Sequence, residues 1–143
     1  MSGYYFPGDS DLQESAAASG SRVFRFGSRV VERLVNADID AQDGTLTAAR
    51  INGGIVTHTS VTGAGNVSID TAANIIAGTA ALATTNDTVQ CLYVNDGSQT
   101  LTLVAGVGIT LVDSGQTIAA DEAAILFFQR TSATAVTVYS VGA

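Results

Sequence analysis

Several short runs of the chain alternate between hydrophobic and polar residues from Thr45 onward. The clearest runs are NVSID (66–70) and TLTL (100–103), and ITL (109–111) and TAVTV (134–138) repeat the pattern. A period of two residues is typical of a β-strand with one buried and one solvated face. Eight to ten strands are therefore expected, with candidates at residues 45–51, 55–61, 66–70, 74–77, 88–95, 99–104, 108–112, 116–119, 123–130 and 134–141.

Turn-forming residues separate these runs, and NDGS (95–98) between two β-runs is the strongest prediction of a hairpin. The run AAILFF (123–128) does not alternate, which predicts a central strand buried on both faces. No stretch has the period of an amphipathic helix. The fold class predicted from this pattern is all-β, an antiparallel β-sandwich of the jelly-roll type. TLTAARINGGIVT (45–57) and TLTLVAGVGIT (100–110) resemble one another, but a single echo does not predict a repeat architecture.

The first 35 residues differ from the rest and predict an extended N-terminal arm, followed by a single β-domain at 36–143. Residues 36–44 (NADIDAQDG) read as a polar connection. Within the arm, four arginines recur at the spacing of one helix face, whereas the valines and phenylalanines between them favour strand. Helix and strand both stay open for residues 22–35, and a short strand near 29–35 is favoured.

The charges of the chain are few and unevenly placed. Charged residues make up 13% of the 143 residues and the net charge is −7, yet residues 22–33 carry four arginines and one glutamate. Residues 51–143 carry six acids and one arginine. An acidic domain without lysine repels a phosphate backbone, so nucleic acid is not expected as a partner. Sparse charge is typical of surfaces that partner subunits cover, and equally of an ordinary threonine-rich β-domain.

The residues that carry chemistry are too few to predict an enzyme. His58 and Cys91 are the only histidine and cysteine, so a serine triad, a Cys–His pair and a four-ligand zinc site all lack residues. The acids at 38, 40 and 43 miss the EF-hand spacing; a solvated acidic turn is favoured over an irregular calcium site. We expect no catalytic residue, no metal and no cofactor. No apolar run approaches a membrane span, and no secretory signal is visible, which favours assembly in a reducing cytoplasm.

Recognition by surface contact remains, and aromatic and arginine residues of the first 35 positions are the candidates. Aromatic rings bring large contact area at low entropic cost, and arginine pairs with carboxylates in a bidentate way. An intermolecular role is favoured over pairing with the domain's own acids. The predicted interface residues are Tyr4, Tyr5, Phe6, Arg22, Phe24, Arg25, Phe26, Arg29 and Arg33.

The strand–turn–strand texture of the second half resembles capsid cement (decoration) proteins of tailed bacteriophages. The stretches that carry the resemblance are LYVNDGSQTLTL (92–103), GITL (108–111), TIAADEA (117–123) and AVTVYSV (135–141). The resemblance implies a structural virion protein on the outer capsid surface that bridges neighbouring subunits of the major capsid protein. A homo-oligomer is the default expectation, with a dimer slightly favoured over a trimer.

A receptor- or glycan-binding module of a phage tail fibre is the alternative function. Such modules have the same pattern of short strands and turns. This function predicts exposed aromatic residues in a groove, with Tyr93 and Tyr139 as candidates.

Overall fold

The computed structural model describes residues 34–59, 61–113 and 115–142, together with the backbone of three strands nearer the N-terminus. Contacts within the chain divide it into two compact units, residues 1–34 and 35–143. This division falls one residue before the boundary expected from the sequence. The role of the first unit as an arm stays a prediction.

Three antiparallel strands form a small sheet in the first unit: β1 (Ser15–Ala16), β2 (Arg22–Phe26) and β3 (Arg29–Glu32). In the pairing of β2 with β3, Val23 lies opposite Glu32 and Phe26 lies opposite Arg29. The arginine-rich segment is thus extended where the structure describes it, and the helical alternative is wrong there. Its valines and phenylalanines, which favour strand, decide the outcome over the spacing of the arginines.

Two sheets form the second unit. Its elements in chain order are β4 (Val35–Asp40), β5 (Gly44–Leu46), α1 (Ala48–Gly53), β6 (Gly54–Thr59), β7 (Gly65–Ile69), α2 (Ala72–Gly78), a 3-10 turn (Ala80–Leu82), β8 (Thr88–Asn95), β9 (Leu101–Val104), β10 (Ile109–Leu111), β11 (Thr117–Ile118), β12 (Glu122–Arg130) and β13 (Val136–Val141). The six-stranded sheet has the order β10-β13-β12-β8-β6-β4, and the four-stranded sheet has the order β11-β9-β7-β5.

Both sheets are mixed, so the predicted antiparallel sandwich of the jelly-roll type is wrong. Strands β4, β6 and β8 are parallel neighbours, as are β5, β7 and β9, and β10 runs parallel to β13. Only the pairs β12–β13, β12–β8 and β11–β9 of this unit are antiparallel. The two sheets share one hydrophobic core, but the direction of their strands is not that of an antiparallel sandwich.

The parallel pairing arises because the chain changes sheet after nearly every strand. It passes from β4 to β5 in the other sheet and returns through α1 to β6, then repeats the circuit through β7 and α2 to β8. Each return brings the chain back alongside its previous strand in the same direction, which a tight hairpin cannot do. The two similar segments, residues 45–57 and 100–110, each cross from the four-stranded to the six-stranded sheet. The first crosses through α1 and the second through a turn.

The two helices correct the strands predicted near residues 45–51 and 74–77. Helix α1 ends at Gly54, whose φ of 83° is the left-handed conformation that glycine adopts most readily. Helix α2 begins after Thr71, whose hydroxyl accepts a hydrogen bond from the Asn74 N–H at 3.2 Å. Both helices are only six or seven residues long, too short for a hydrophobic period to show in the sequence.

Strand β4 corrects the polar connection predicted over residues 36–44. It is an edge strand in which Ile39 is buried while Asp38 and Asp40 are exposed. A strand with one neighbour and one solvated face accepts acidic side chains on that face, so its composition resembled a loop.

One hydrophobic core lies in this unit and draws on every one of its strands and both helices. Ile51 of α1 and Ile75 of α2 are fully buried, so the crossover helices close the core at its sides. Tyr93 and Phe128 are the largest side chains in it, and each is fully buried.

The buried side chain of Asn95 connects the two sheets at the end of β8. The two hydrogens of its Nδ2 are shared among the carbonyl oxygens of Gln99 (2.8 Å), Ile118 (3.0 Å) and Ala119 (3.0 Å). Its Oδ1 accepts from the Gly97 N–H at 3.1 Å. The predicted hairpin at residues 95–98 is therefore wrong, since β8 and β9 lie in different sheets and the NDGS segment carries the chain between them.

Replacing Asn95 with alanine is expected to lower the free energy of unfolding by about 3 kcal/mol, because three carbonyl groups at a buried site lose their donor. Chemical denaturation monitored by circular dichroism measures this change. Asn66→Ala is the matched control, since Asn66 is exposed on β7 and its loss should cost less than about 0.5 kcal/mol. Equal effects of the two substitutions would contradict a sheet-linking role for Asn95.

Candidate protein-binding surface

The structure does not bring the predicted interface residues into a describable site. Tyr4, Tyr5, Phe6 and Arg33 lie outside the described residues. Of the others, four lie on β2 and one on β3, where the backbone alone is described: Arg22, Phe24, Arg25 and Phe26 on β2, and Arg29 on β3. Their role in binding stays a prediction.

A second surface, which the sequence reading did not single out, is the outward face of the six-stranded sheet. We call it the outer sheet face and define it by the outward residues of β6, β8, β12, β13 and β10. These residues are Ile55, Thr57, Thr59, Thr88, Gln90, Leu92, Val94, Ala123, Ile125, Phe127, Gln129, Thr137, Tyr139, Val141 and Thr110. None of these outward residues on the five strands carries a charge.

An apolar row runs across the middle of the outer sheet face. The strand register places Ile55 opposite Leu92, Leu92 opposite Ile125, and Ile125 opposite Val141. Leu92 is 37%, Ile125 40% and Val141 58% exposed, whereas Ile55 is half-buried. Single exposed apolar residues are ordinary, whereas contiguous exposed apolar patches are a common feature of interaction surfaces.

Phe127 and Tyr139 extend this apolar area on one side. They lie opposite each other on β12 and β13, and the Tyr139 hydroxyl donates to Oε1 of Gln129 at 3.1 Å. Aromatic residues are enriched at protein interfaces, where they supply much of the contact area. Beyond β6 the uncharged area ends at the edge strand β4, whose outward residues include Asp38 and Asp40.

Strand β12 lies in the middle of the sheet, as predicted, but it is not buried on both faces. Ala124, Leu126 and Phe128 are buried in the core, while Ala123 and Ile125 are exposed on the outer sheet face. The non-alternating sequence AAILFF therefore supplies apolar residues both to the core and to a partly exposed face.

His58 and Tyr93 form a buried polar pair inside the core. The Tyr93 hydroxyl and His58 Nδ1 are 2.5 Å apart, and Nε2 lies 2.8 Å from the carbonyl oxygen of Ala41. Because a carbonyl only accepts, Nε2 carries the hydrogen, and Nδ1 accepts from the tyrosine. Burial raises the pKa of the Tyr93 hydroxyl. Both residues are fully buried, so neither is placed to meet a substrate or, for Tyr93, a glycan.

Cys91 is buried in β8 and is not paired with another cysteine. Its burial raises the pKa of the thiol from 9.0 to about 12. The thiolate, which is the reactive form, is therefore scarce at neutral pH. Cys91 behaves as a small hydrophobic residue of the core.

Two of the three acids at residues 38–43, Asp40 and Asp43, line an open groove of about 360 Å³. The groove is bounded by Ile39, Asp40, Ala41, Asp43, Gly44, Thr45, Arg50 and Ser68. Asp43 accepts from the Asn66 N–H at 2.7 Å, and Arg50 donates to the carbonyl oxygen of Thr45 at 2.6 Å. Among the described residues no three acidic, histidine or cysteine side chains are grouped to hold a metal ion. The groove also has no aromatic lining for a sugar ring.

Arg130 serves the fold of its own unit. Its guanidinium donates to the carbonyl oxygens of Leu82, Ala83 and Ser132. Nearby, Asp87 accepts from the backbone and the hydroxyl of Thr84, which together with the charge of Arg130 lowers the pKa of the carboxyl. These contacts anchor the loop that precedes β8.

Comparisons with known proteins give no family for the chain. A scan against protein-family models, a search of curated proteins and a search of solved structures each found no match. Among the described residues, no helix is long and apolar enough to cross a membrane.

The substitution Tyr93→Phe is expected to lower the free energy of unfolding by about 2 kcal/mol, because it leaves the buried Nδ1 of His58 without a donor. Thermal and urea denaturation measure the loss. Tyr139→Phe removes the same hydroxyl from an exposed site and should cost less than about 0.5 kcal/mol. A Tyr93→Phe protein as stable as the Tyr139→Phe control would show that the buried hydrogen bond contributes nothing.

Cys91 is expected to resist thiol reagents in the folded chain at pH 8 and to react at once in denaturant. A free thiol ionises near pH 9.0, whereas the folded one keeps its proton until the pH approaches about 12. At pH 8 and at pH 10 the folded chain should therefore be labelled much more slowly than the unfolded chain, and its labelling rate should still be rising at pH 10, where that of the unfolded chain is levelling off. Absorbance assays of thiol labelling test this, and rapid labelling of the folded chain would contradict it.

Proposed function

We propose that this chain is a structural protein that works by binding other protein surfaces, as a cement protein on the outside of an assembled phage capsid. The observation that carries this proposal is the uncharged outer sheet face with its exposed apolar row. The capsid as the partner comes from the resemblance in residues 92–141. The outer capsid surface is the proposed location.

The residues that could perform chemistry support a binding role by their positions. His58 and Cys91 are in the core, and Arg130 is bonded to carbonyl groups of its own unit. Tyr93, one of two aromatic residues expected to line a glycan groove, is fully buried. Tyr139, the other of the two, is 40% exposed on the outer sheet face. A tail-fibre module that binds glycans remains the alternative proposal, with Tyr139 alone as its candidate residue.

The mechanism of such a protein is thermodynamic linkage. A protein that binds the assembled lattice but not its free subunits stabilises the lattice by the free energy of binding. Many copies that each bridge two subunits add their contributions, so that modest affinity at each contact is sufficient. The sparse charge of the second unit suits this role, because charged groups are costly to bury at the centre of an interface.

The arginine-rich segment is proposed to bind the shell. Residues 22–33 carry four arginines and one glutamate in a chain whose net charge is −7. A local cationic segment on an acidic protein directs that segment toward an acidic surface, while the rest of the chain contributes little attraction.

Replacing all four of Arg22, Arg25, Arg29 and Arg33 with glutamine is expected to abolish binding to the shell. The measurement is co-sedimentation of the full chain with assembled phage heads that lack their decoration protein. The unchanged chain should bind saturably, in a fixed ratio to the major capsid protein, and more weakly as salt screens the arginines.

The control is Asn66→Gln, which alters an exposed polar residue of the second unit and should leave co-sedimentation unchanged. Undiminished binding by the variant with all four arginines of the segment replaced would contradict the role of the segment. No binding by the unchanged chain would contradict the cement function itself.

A further inference from the structure

We propose that the outer sheet face is where two copies of this chain bind each other, face to face across a twofold axis. The inference rests on the geometry of the six-stranded sheet and does not depend on binding to a shell. Its central element is the row Ile55, Leu92, Ile125 and Val141, which the strand register makes continuous.

The composition of β12 indicates that something covers this face. A strand with one solvated face normally alternates between apolar and polar residues, and a strand covered on both faces reads as a continuous apolar run. Residues 123–128 (AAILFF) are such a run, yet Ile125 is 40% exposed in the single chain. A partner packed on the outer sheet face removes this mismatch.

A second copy matches the chemistry of the face. An isologous contact places each surface against itself, so the uncharged centre of one face meets the uncharged centre of the other and no charge is buried there. The fifteen outward residues of the outer sheet face, all uncharged, fulfil this condition.

The size of the face is sufficient for a weak specific dimer. Outward side chains span roughly 20 Å on β8 and β12, about 13 Å on β6 and β13, and a single residue on β10. With strands about 4.8 Å apart, the flat area is about 350 Å². Side chains add accessible surface to this projection, so two copies bury about 1,000 Å² in total. Specific interfaces begin near this value, and those at the low end are weak.

Two twofold arrangements of the dimer differ in where they place the acidic edge strand β4. An axis across the strands would place Asp38 and Asp40 of one copy over the same acids of the other. An axis along the strands instead places the β4 edge over the β10 edge of the second copy, where Thr110 points outward. Like charges in contact are unfavourable, so the second arrangement is the one we expect.

The test is sedimentation equilibrium of the full chain from about 1 µM to about 300 µM, a range chosen because small interfaces give modest affinity. The unchanged chain should associate to a dimer within this range. Ile125→Lys places a charge at the centre of the outer sheet face and should weaken association by about tenfold or more.

Val104→Lys is the matched control, since Val104 lies on the four-stranded sheet with the same 40% exposure as Ile125. It should leave association unchanged, and circular dichroism checks that both variants keep their fold. A monomeric unchanged chain, a dimer that survives Ile125→Lys, or equal losses in both variants would each overturn the inference. Because this assay contains no phage heads, its outcome is independent of whether the chain binds a shell.

Discussion

The hydrogen bonds of three buried polar residues at one end of the six-stranded sheet determine where the chain leaves that sheet. The His58 ring is hydrogen-bonded to the carbonyl oxygen of Ala41 and to the Tyr93 hydroxyl. The strand register places His58 directly opposite Asn95. Asn95 in turn binds the backbone of Ile118 on β11 and of Gln99 just before β9, at one edge of the four-stranded sheet. A buried polar group is costly unless its partners are in place, so these residues permit only one alignment of β6 with β8.

The alignment of β6 with β8 also determines which of their residues point away from the core. Side chains alternate along a strand, so a shift of one residue would move every core residue outward and every outward residue into the core. With His58, Tyr93 and Asn95 held inward, Leu92 on β8 and Thr57 on β6 must point outward. The uncharged outer sheet face is thus a result of the same polar contacts that hold the two sheets together.

The sequence predicted the strands far better than their connections. The limits of β8 at residues 88–95 were predicted as the structure has them, and β12 at 122–130 and β9 at 101–104 lie close to their predicted limits. Period-2 patterning reports which faces are buried, and it does so locally. The order of strands depends on where each crossover lands, and no local signal in TLTAAR or in NDGS states that the chain changes sheet. Two short helices and an acidic edge strand were also invisible to the pattern.

The candidate surface escaped the sequence reading for a related reason. The run AAILFF was correctly predicted to be a central strand, but the prediction that both of its faces are buried is wrong, since Ala123 and Ile125 are exposed. A sequence pattern carries the burial expected of each strand face, whereas the folded chain shows the burial that it provides by itself. The two differ at Ile125, and this difference is the observation on which the proposed dimer rests.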